Sequence, residues 1–521
     1  MKKTLLLLVS AAILSFACPG HTQEITSPQI DALVQRAMES TPSVGIAVAV
    51  VKDGKKIHSK GYGIRSIEGR EKVDEHTLFA IASNSKAFTA ATLAILVDEG
   101  KLGWEDKVID HIPEFRMYND YVTANFNILD LLTHRSGLGL GAGDLMFFPD
   151  GGDYTITDVV TSFQHQNQVS AFRTKYDYDN LLYIVAGEVV ARASGMPWVD
   201  FVKARIMDPL GMANSVPTNS KLGKNANLAL PHDSEGEKIK QLPTYDSELL
   251  AAAGGIYSSV DDLSQWMLMQ LGHGPYGPGS PQELFSEKQQ RQMWRPHTQT
   301  SFTIKPNPRN NQHFSAYGLG WNLADRQGKI VISHTGGLPG MLSKTILVPE
   351  LDLGIVILTN SLPGGYAYTS IPEMILDSYL EIEERDWIQV YADRAKARGQ
   401  ESDSVTTAVW KVVRENKMDV DPKNYMGRYE DPWFGAVDIG LKNGKLWFTS
   451  QRSPKLNGQM FPYKATTFAI KWEYDDMPAD AFATFDLDHE GKAQGIRMKG
   501  ISPNIDFSFD FHDLDLKRIE E

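Results

Sequence analysis

Ser83 and Lys86 stand three residues apart in Phe79-Ala-Ile-Ala-Ser83-Asn-Ser-Lys86-Ala-Phe-Thr-Ala, at what reads as the start of a helix. Such spacing puts a hydroxyl and an amine on one face, one turn apart. A serine hydroxyl is un-ionised near neutrality and attacks a carbonyl only if a neighbour takes its proton. A lysine does this only in its neutral form, which burial or a nearby cation favours. The plain alternative is that Ser-x-x-Lys marks an ordinary solvated helix start. The flanking sequence argues against it. Residues 77–81 are apolar and extended in character, and Ala87, Phe88, Ala91, Ile95 and Leu96 recur at helical spacing until Gly100. Lys86 thus heads a helix destined for the interior, where an unpaired ammonium is costly.

Two further groups carry chemistry. Tyr178-Asp-Asn180 precedes the apolar run 181–187 and offers a phenol that can relay a proton and an amide that can donate and accept. The structural alternative is a packed tyrosine with an asparagine capping the next helix. Val331-Ile-Ser-His334-Thr335-Gly336-Gly337 is an apolar run ending in glycines, which let a ligand or another backbone approach a strand closely. An extended backbone N–H there could help bind an oxyanion. A lone histidine is otherwise a satisfied structural residue.

Taken in order, Ser-x-x-Lys, Tyr-x-Asn and His-Thr-Gly resemble the three active-site motifs of the serine β-lactamase and penicillin-binding-protein superfamily. More of the chain resembles its class C β-lactamase and D-aminopeptidase/D-alanyl-D-alanine carboxypeptidase branch, the S12-type serine peptidases. The stretches that carry this are Leu131-Leu-Thr-His-Arg-Ser-Gly137, Asp208-Pro-Leu-Gly-Met212, Ala253-Gly-Gly-Ile-Tyr-Ser-Ser259, Tyr317-Gly-Leu-Gly-Trp321 and Ile357-Leu-Thr-Asn360, within residues 25–380. The resemblance implies Ser83 as the acylated nucleophile, Lys86 as its proton acceptor and Tyr178 as the proton shuttle. Asn180, His334, Thr335 and Gly336 would bind substrate, and the backbone N–H groups of Ser83 and Gly337 would form the oxyanion hole. It leaves open how Lys86 and Tyr178 share the role of base. Two departures bear on substrate. His334 replaces the usual lysine, so an anion is held there only by a protonated imidazole. Asp179 replaces a small neutral residue, and is expected either to disfavour anionic substrates or to point to solvent.

The fold expected is α/β of the α+β type. An antiparallel sheet flanked by helices stands beside an all-helical region that holds Tyr178 and Asn180, with a small antiparallel β-barrel following. Residues 24–380 form the hydrolase domain, and the charge-dense segment 381–421 reads as a helical linker. Residues 422–521 resemble the lipocalin-like domain appended to some of these hydrolases, opening with Tyr425-Met-Gly-Arg-Tyr429. There Val437, Ile439 and Leu441 alternate before the hairpin signal Asn443-Gly444, and Ile505, Phe507, Phe509 and Phe511 alternate likewise, as in strands. Covering the active site, binding a ligand in the barrel and mediating assembly are the roles such a domain could have, beside passive stabilisation.

Residues 1–23 read as a signal peptide: a basic start, an apolar core over residues 5–16 too short to span a bilayer, and small residues at Ser15-Phe-Ala17. The chain's single cysteine, Cys18, follows directly and is a candidate for lipidation, although the preceding residues match a lipobox poorly. The expected location is therefore periplasmic or secreted, with membrane association through a lipid anchor as the alternative. A net charge of −13 with no basic stripe argues against a nucleic-acid partner. No metal-ligand spacing occurs and no cofactor is expected. The function expected is acyl transfer to water through a covalent Ser83 ester, on a peptide or amide containing a D-residue. The alternatives are a carboxylesterase or weak β-lactamase and, in another class, a non-catalytic penicillin-binding sensor or scaffold.

Overall fold

The computed structural model describes residues 24–519 apart from 236–237, 364 and 478, so the signal-peptide segment and Cys18 lie outside the described residues. Helix α1 (Ser27–Ser40) leads into strands β1 (Gly45–Lys52) and β2 (Lys55–Gly63). Helices α2 (Ser85–Asp98), α3 (Leu181–Ser194) and α4 (Val260–Gln270) follow, then strands β3 (Thr298–Phe302), β4 (Phe314–Tyr317), β5 (Asn322–Arg326), β6 (Lys329–Leu338), β7 (Met341–Val348) and β8 (Leu353–Thr359). The strands form one antiparallel sheet in the order β2-β1-β8-β7-β6-β5-β4-β3. Its middle is buried on both faces because β1 and β8 are apolar up to their last residues, Lys52 and Thr359. Ile46, Val48, Val50, Ile355 and Ile357 pack on α1 and on α5 (Gly365–Tyr379). Ala47, Ala49, Val51, Val356 and Leu358 face the other core, to which Trp266 of α4 and Phe88 of α2 contribute, stacked 4.1 Å apart.

Helix α2 is buried on nearly every side, as a helix apolar all round must be. It lies between the sheet and the all-helical region, where it meets α3. The segment 381–421 contains one long helix, α6 (Trp387–Glu415), which packs against α5. Its Val409 is buried against Ala469 and Ile501, and Trp410 Nε1 donates to Asp480 Oδ2 at 3.0 Å.

Eight antiparallel strands over residues 427–519 close into a barrel. Asn443 and Gly444 take φ +55° and +75° and turn the hairpin that pairs Lys442 with Lys445, as the Asn-Gly signal requires. Inward alternation buries Tyr429, Val437, Ile439, Phe448, Ile470 and Phe485. The expectation of a strand through Ile505, Phe507, Phe509 and Phe511 is not met. Residues 502–510 form a loop that ends in a short turn. The reason lies in the intervening polar residues, because Ser508 and Asp510 are buried and hydrogen-bonded to the hydrolase domain rather than to a neighbouring strand. Around them, Arg452 pairs with Asp153 at 2.7 Å and Asp158 at 3.0 Å, and Lys455 with Asp150 at 2.7 Å.

Among the described residues no helix is long and apolar enough to cross a membrane.

Candidate active site

The chain reaches Ser83 through a two-residue strand at Phe79–Ala80, paired with Tyr257–Ser258, and a 3₁₀ turn over Ala82–Asn84. Ser83 therefore precedes α2 rather than lying within it, while Lys86 is the helix's second residue. Ala82 takes φ +47°, a left-handed conformation that costs a non-glycine residue about 1 kcal/mol or more. Surrounding hydrogen bonds hold it there. Ser343 Oγ donates to Ile81 O at 2.6 Å and accepts from Asn84 Nδ2 at 2.7 Å.

Lys86 is fully buried. Its Nζ donates to Ser83 Oγ at 3.0 Å, Asn180 Oδ1 at 2.7 Å and Ala253 O at 2.9 Å, and lies 4.9 Å from the centre of the Tyr178 ring. Burial brings its pKa down to about 7 against the opposing pull of Asp144 and Asp179. Burial has the opposite effect on Tyr178, pushing the phenol well above its usual range despite hydrogen bonding with Ser83. Near neutrality Tyr178 is therefore a proton donor, and a substantial fraction of Lys86 is a free amine.

Asn180 does not cap α3 with its side chain. Its amide bridges Lys86 and Asp144, with Nδ2 donating to Asp144 Oδ2 at 2.8 Å. Asp179 neither reaches solvent nor faces the substrate cavity. It is buried and accepts from Leu182 N at 3.3 Å, satisfying one of the free N–H groups at the start of α3, and burial raises its pKa to about 7.

On the far side β6 presents His334, Thr335, Gly336 and Gly337. His334 Nδ1 lies 2.6 Å from Thr335 O, a group that only accepts, so Nδ1 carries the proton. Nε2 then accepts from Tyr317 OH at 2.9 Å. Burial, with Lys86 nearby, lowers the pKa of His334 to about 3. A neutral imidazole thus occupies the place where a lysine would supply a fixed charge. A Cβ on Gly336 would fall 2.1 Å from Ile81 O, so only glycine lets β6 approach the turn that carries Ser83. Thr335 and Gly337 line the same cavity as Ser83, Tyr178, Asn180 and His334, about 560 Å³ in volume.

The site contains residues to which the sequence reading gave no role. His134 is buried among the rings of Tyr178, Tyr183 and Tyr317, and its Nδ1 accepts from Asp179 N at 3.1 Å. It falls in the quoted 131–137 stretch, and Tyr317 opens another, so family resemblance was the available signal. Asp144 and the barrel residues 504–508 gave none. Among the described residues no group of three or more histidine, cysteine or acidic side chains is placed to hold a metal.

A serine and a buried lysine amine at the seam between an antiparallel sheet and a helical region define a serine hydrolase of the penicillin-recognising type. The family described as "Beta-lactamase" matches residues 30–375, and the chain belongs to it. Residues 420–518 match a domain of unknown function, DUF3471. The unguisins hydrolase ungD' of Aspergillus campestris is 28% identical over 379 residues, which cover 69% of this chain and 67% of that protein. Among solved structures, the octameric penicillin-binding protein homologue from Pyrococcus abyssi aligns with a TM-score of 0.58 at 18% identity, covering 92% of this chain and 99% of that one. D-amino acid amidase from Ochrobactrum anthropi, complexed with L-phenylalanine amide, aligns with a TM-score of 0.55 at 20% identity, covering 68% and 96%. These two likenesses speak to fold.

Proposed function

We propose that the protein hydrolyses amide bonds in peptides containing a D-residue through a covalent ester of Ser83. The observation that carries acyl transfer is the Lys86 amine, buried and 3.0 Å from Ser83 Oγ. In the first half-reaction Lys86 takes the Ser83 proton as Oγ bonds to the carbonyl carbon, and the N–H groups of Ser83 and Gly337 receive the oxyanion. The C–N bond then breaks, and the departing amine takes a proton from Tyr178, which Lys86 replaces. Water attacks the ester in the second half-reaction, its proton passing to the same base, and as the C–Oγ bond breaks that base returns the proton to Oγ and restores the Ser83 hydroxyl.

The preference for a D-residue rests on the resemblance of the stretches at residues 131–137, 208–212, 253–259, 317–321 and 357–360 to the D-peptidase branch. The lining of the cavity supports a substrate without a recognised carboxylate. Among its described residues there is no lysine or arginine, Asp233, Asp476 and Asp506 are present, and His334 is neutral. The same neutrality favours a second reading, a carboxylesterase acting on uncharged esters. Export through residues 1–23, with or without lipid at Cys18, completes the proposal, and mass spectrometry of the protein recovered from its native host tests it by the N-terminus found.

Intact-mass measurement after exposure to a fluorophosphonate, a β-lactam and matched D- and L-aminoacyl amides and esters tests the chemistry. A fluorophosphonate adduct on Ser83 with faster turnover of D-aminoacyl amides is expected. Turnover of esters alone selects the esterase, and a β-lactam adduct without turnover of any substrate selects the sensor.

A further inference from the structure

The barrel reaches into the active site. Residues 504–508 form part of the cavity wall, and the Phe507 ring meets that of Tyr178 edge-on at 5.8 Å. Buried Ser508 donates from Oγ to Asp144 Oδ2 at 2.7 Å, and the same oxygen accepts from Asn180 Nδ2. Asn180 Oδ1 in turn accepts from Lys86 Nζ, which donates to Ser83. Two residues beyond Ser508, Asp510 accepts from Gly143 N at 2.8 Å and Leu145 N at 3.1 Å and so grips the turn on both sides of Asp144. At Gly141, with φ +74°, a Cβ would lie 2.7 Å from Phe507 O, so the two backbones are in close contact.

This chain of contacts has a direction. A primary amide has one accepting end, and Lys86 needs that end facing it. Burial holds the Asp144 carboxyl well above the usual carboxylate range, and its Oδ2, which accepts from both Ser508 and Asn180, can face only the NH₂ end, so its presence fixes which way Asn180 points. Asp144 Oδ1 has no hydrogen-bond partner among the described residues, so Ser508 supplies one of the two side-chain hydrogen bonds that secure this buried group.

We propose that the C-terminal barrel completes the active site, with Ser508 as a positioning residue that acts through Asp144 and Asn180 to set the Lys86 amine against Ser83. The proposal rests on the assignment of Ser83 as nucleophile and Lys86 as base. It makes the barrel a component of the acylation machinery rather than a passive appendage.

The test is a double-mutant cycle in the full chain: Ser508→Ala, Asp144→Ala and the pair, with Ser508→Cys as a variant of similar volume and weak donor strength. For each, kcat and KM are measured on a turned-over ester or amide, with the rate of fluorophosphonate acylation and the thermal unfolding midpoint. Loss of one of the two hydrogen bonds to Asp144 Oδ2 predicts a fall in kcat on the order of 10-fold for both Ala and Cys, with KM nearly unchanged. In the Asp144→Ala background, which removes the acceptor shared by Ser508 and Asn180, Ser508→Ala should cost nothing further, since the path is already cut. Wild-type kcat in either Ser508 variant, or additive losses in the cycle, overturns the proposal, because a merely structural serine shifts the unfolding midpoint and leaves the folded enzyme's kcat alone. Should the Ala variant not fold, the Cys variant carries the same cycle. Ser83→Ala is run beside them. Labelling that survives in Ser83→Ala condemns the nucleophile assignment, whereas an inert Ser83→Ala with a fully active Ser508→Ala condemns only the coupling.

Discussion

Lys86 Nζ stands 2.7 Å from Asn180 Oδ1, and this contact determines how the amine meets Ser83. An ammonium has three N–H donors, and Nζ has three acceptors around it: Asn180 Oδ1, Ala253 O and Ser83 Oγ. In the neutral amine two N–H groups remain with the two carbonyl oxygens, which cannot donate, and the lone pair is left for the serine. Asn180 and Ala253 therefore aim the base. Tyr178, held neutral by burial, is left to give a proton rather than take one.

Replacing Ser83 by Ala should abolish fluorophosphonate labelling and turnover while leaving the unfolding midpoint near wild type, because Ser83 is only partly buried and little is lost in packing. Lys86→Met keeps the length of the side chain but leaves Asn180 Oδ1 and Ala253 O without their donor, at a cost of about 1–3 kcal/mol for such a group. Its activity should fall nearly as far as that of Ser83→Ala, since members of one catalytic unit lose almost everything singly. Labelling at the wild-type rate in Lys86→Met would show another group taking the proton.

Tyr178→Phe should lower kcat by about 10²- to 10⁴-fold on amides, the usual worth of general acid–base catalysis. Esters with good leaving groups should suffer less, because an alkoxide or phenolate departs without needing a proton. The packing role predicts no loss, as Phe preserves the contacts with His134 and Phe507. The ratio of amide to ester kcat in the variant separates the two.

The alternation of apolar residues and the Asn443-Gly444 turn showed the barrel hairpin, because each records a local requirement of burial or backbone twist, whereas the fold class of the hydrolase domain came through the family resemblance. The Ser83–Lys86 pair was legible in the sequence because its members lie within one turn of each other. Asp144 and Ser508 are 364 residues apart, and neither shows in its own neighbourhood what it touches. The alternating aromatics at residues 505–511 were misleading. Alternation there serves two surfaces, with Phe509 and Phe511 in the core and Ser508 and Asp510 on the helical region, and no partner strand is involved. Of the two alternatives for Asp179, the solvent-facing one fails, because the sequence does not distinguish a side chain turned into its own helix start from one turned to solvent.

Gly336 tests the approach of β6 to the nucleophile. Gly336→Ala puts a Cβ against Ile81 O and the Ser343 hydroxyl, so the strand or the Ser83 turn must shift. Displacing one oxyanion donor costs about 10²- to 10³-fold in kcat. Gly337→Ala, whose Cβ meets only Leu342 at 3.5 Å, should be far milder. Equal kcat losses in the two variants would show that the steric limit at Gly336 does not set the geometry of the site.

The pH dependence distinguishes Lys86 from His334. Lys86 accepts the serine proton only as a free amine, so for a neutral substrate kcat/KM should rise with pH, level off above about 7, and fall tenfold for each pH unit well below it. Asp179 titrates in the same window, and its carboxylate stabilises the ammonium, so the observed steps belong to the pair. Asp179→Asn keeps an acceptor for Leu182 N but removes the charge, which should move the acid limb to lower pH. His334, brought to about 3 by burial, is neutral across this range and should add no step. Anionic and neutral substrates of the same scaffold should then give parallel profiles between pH 5 and pH 8. If the anionic substrate alone lost affinity as pH rose through 6 to 7, His334 would be a charged anchor, with a pKa far above the one its burial implies. Tyr317→Phe, which removes the donor to His334 Nε2, should leave both profiles in place and change only their height.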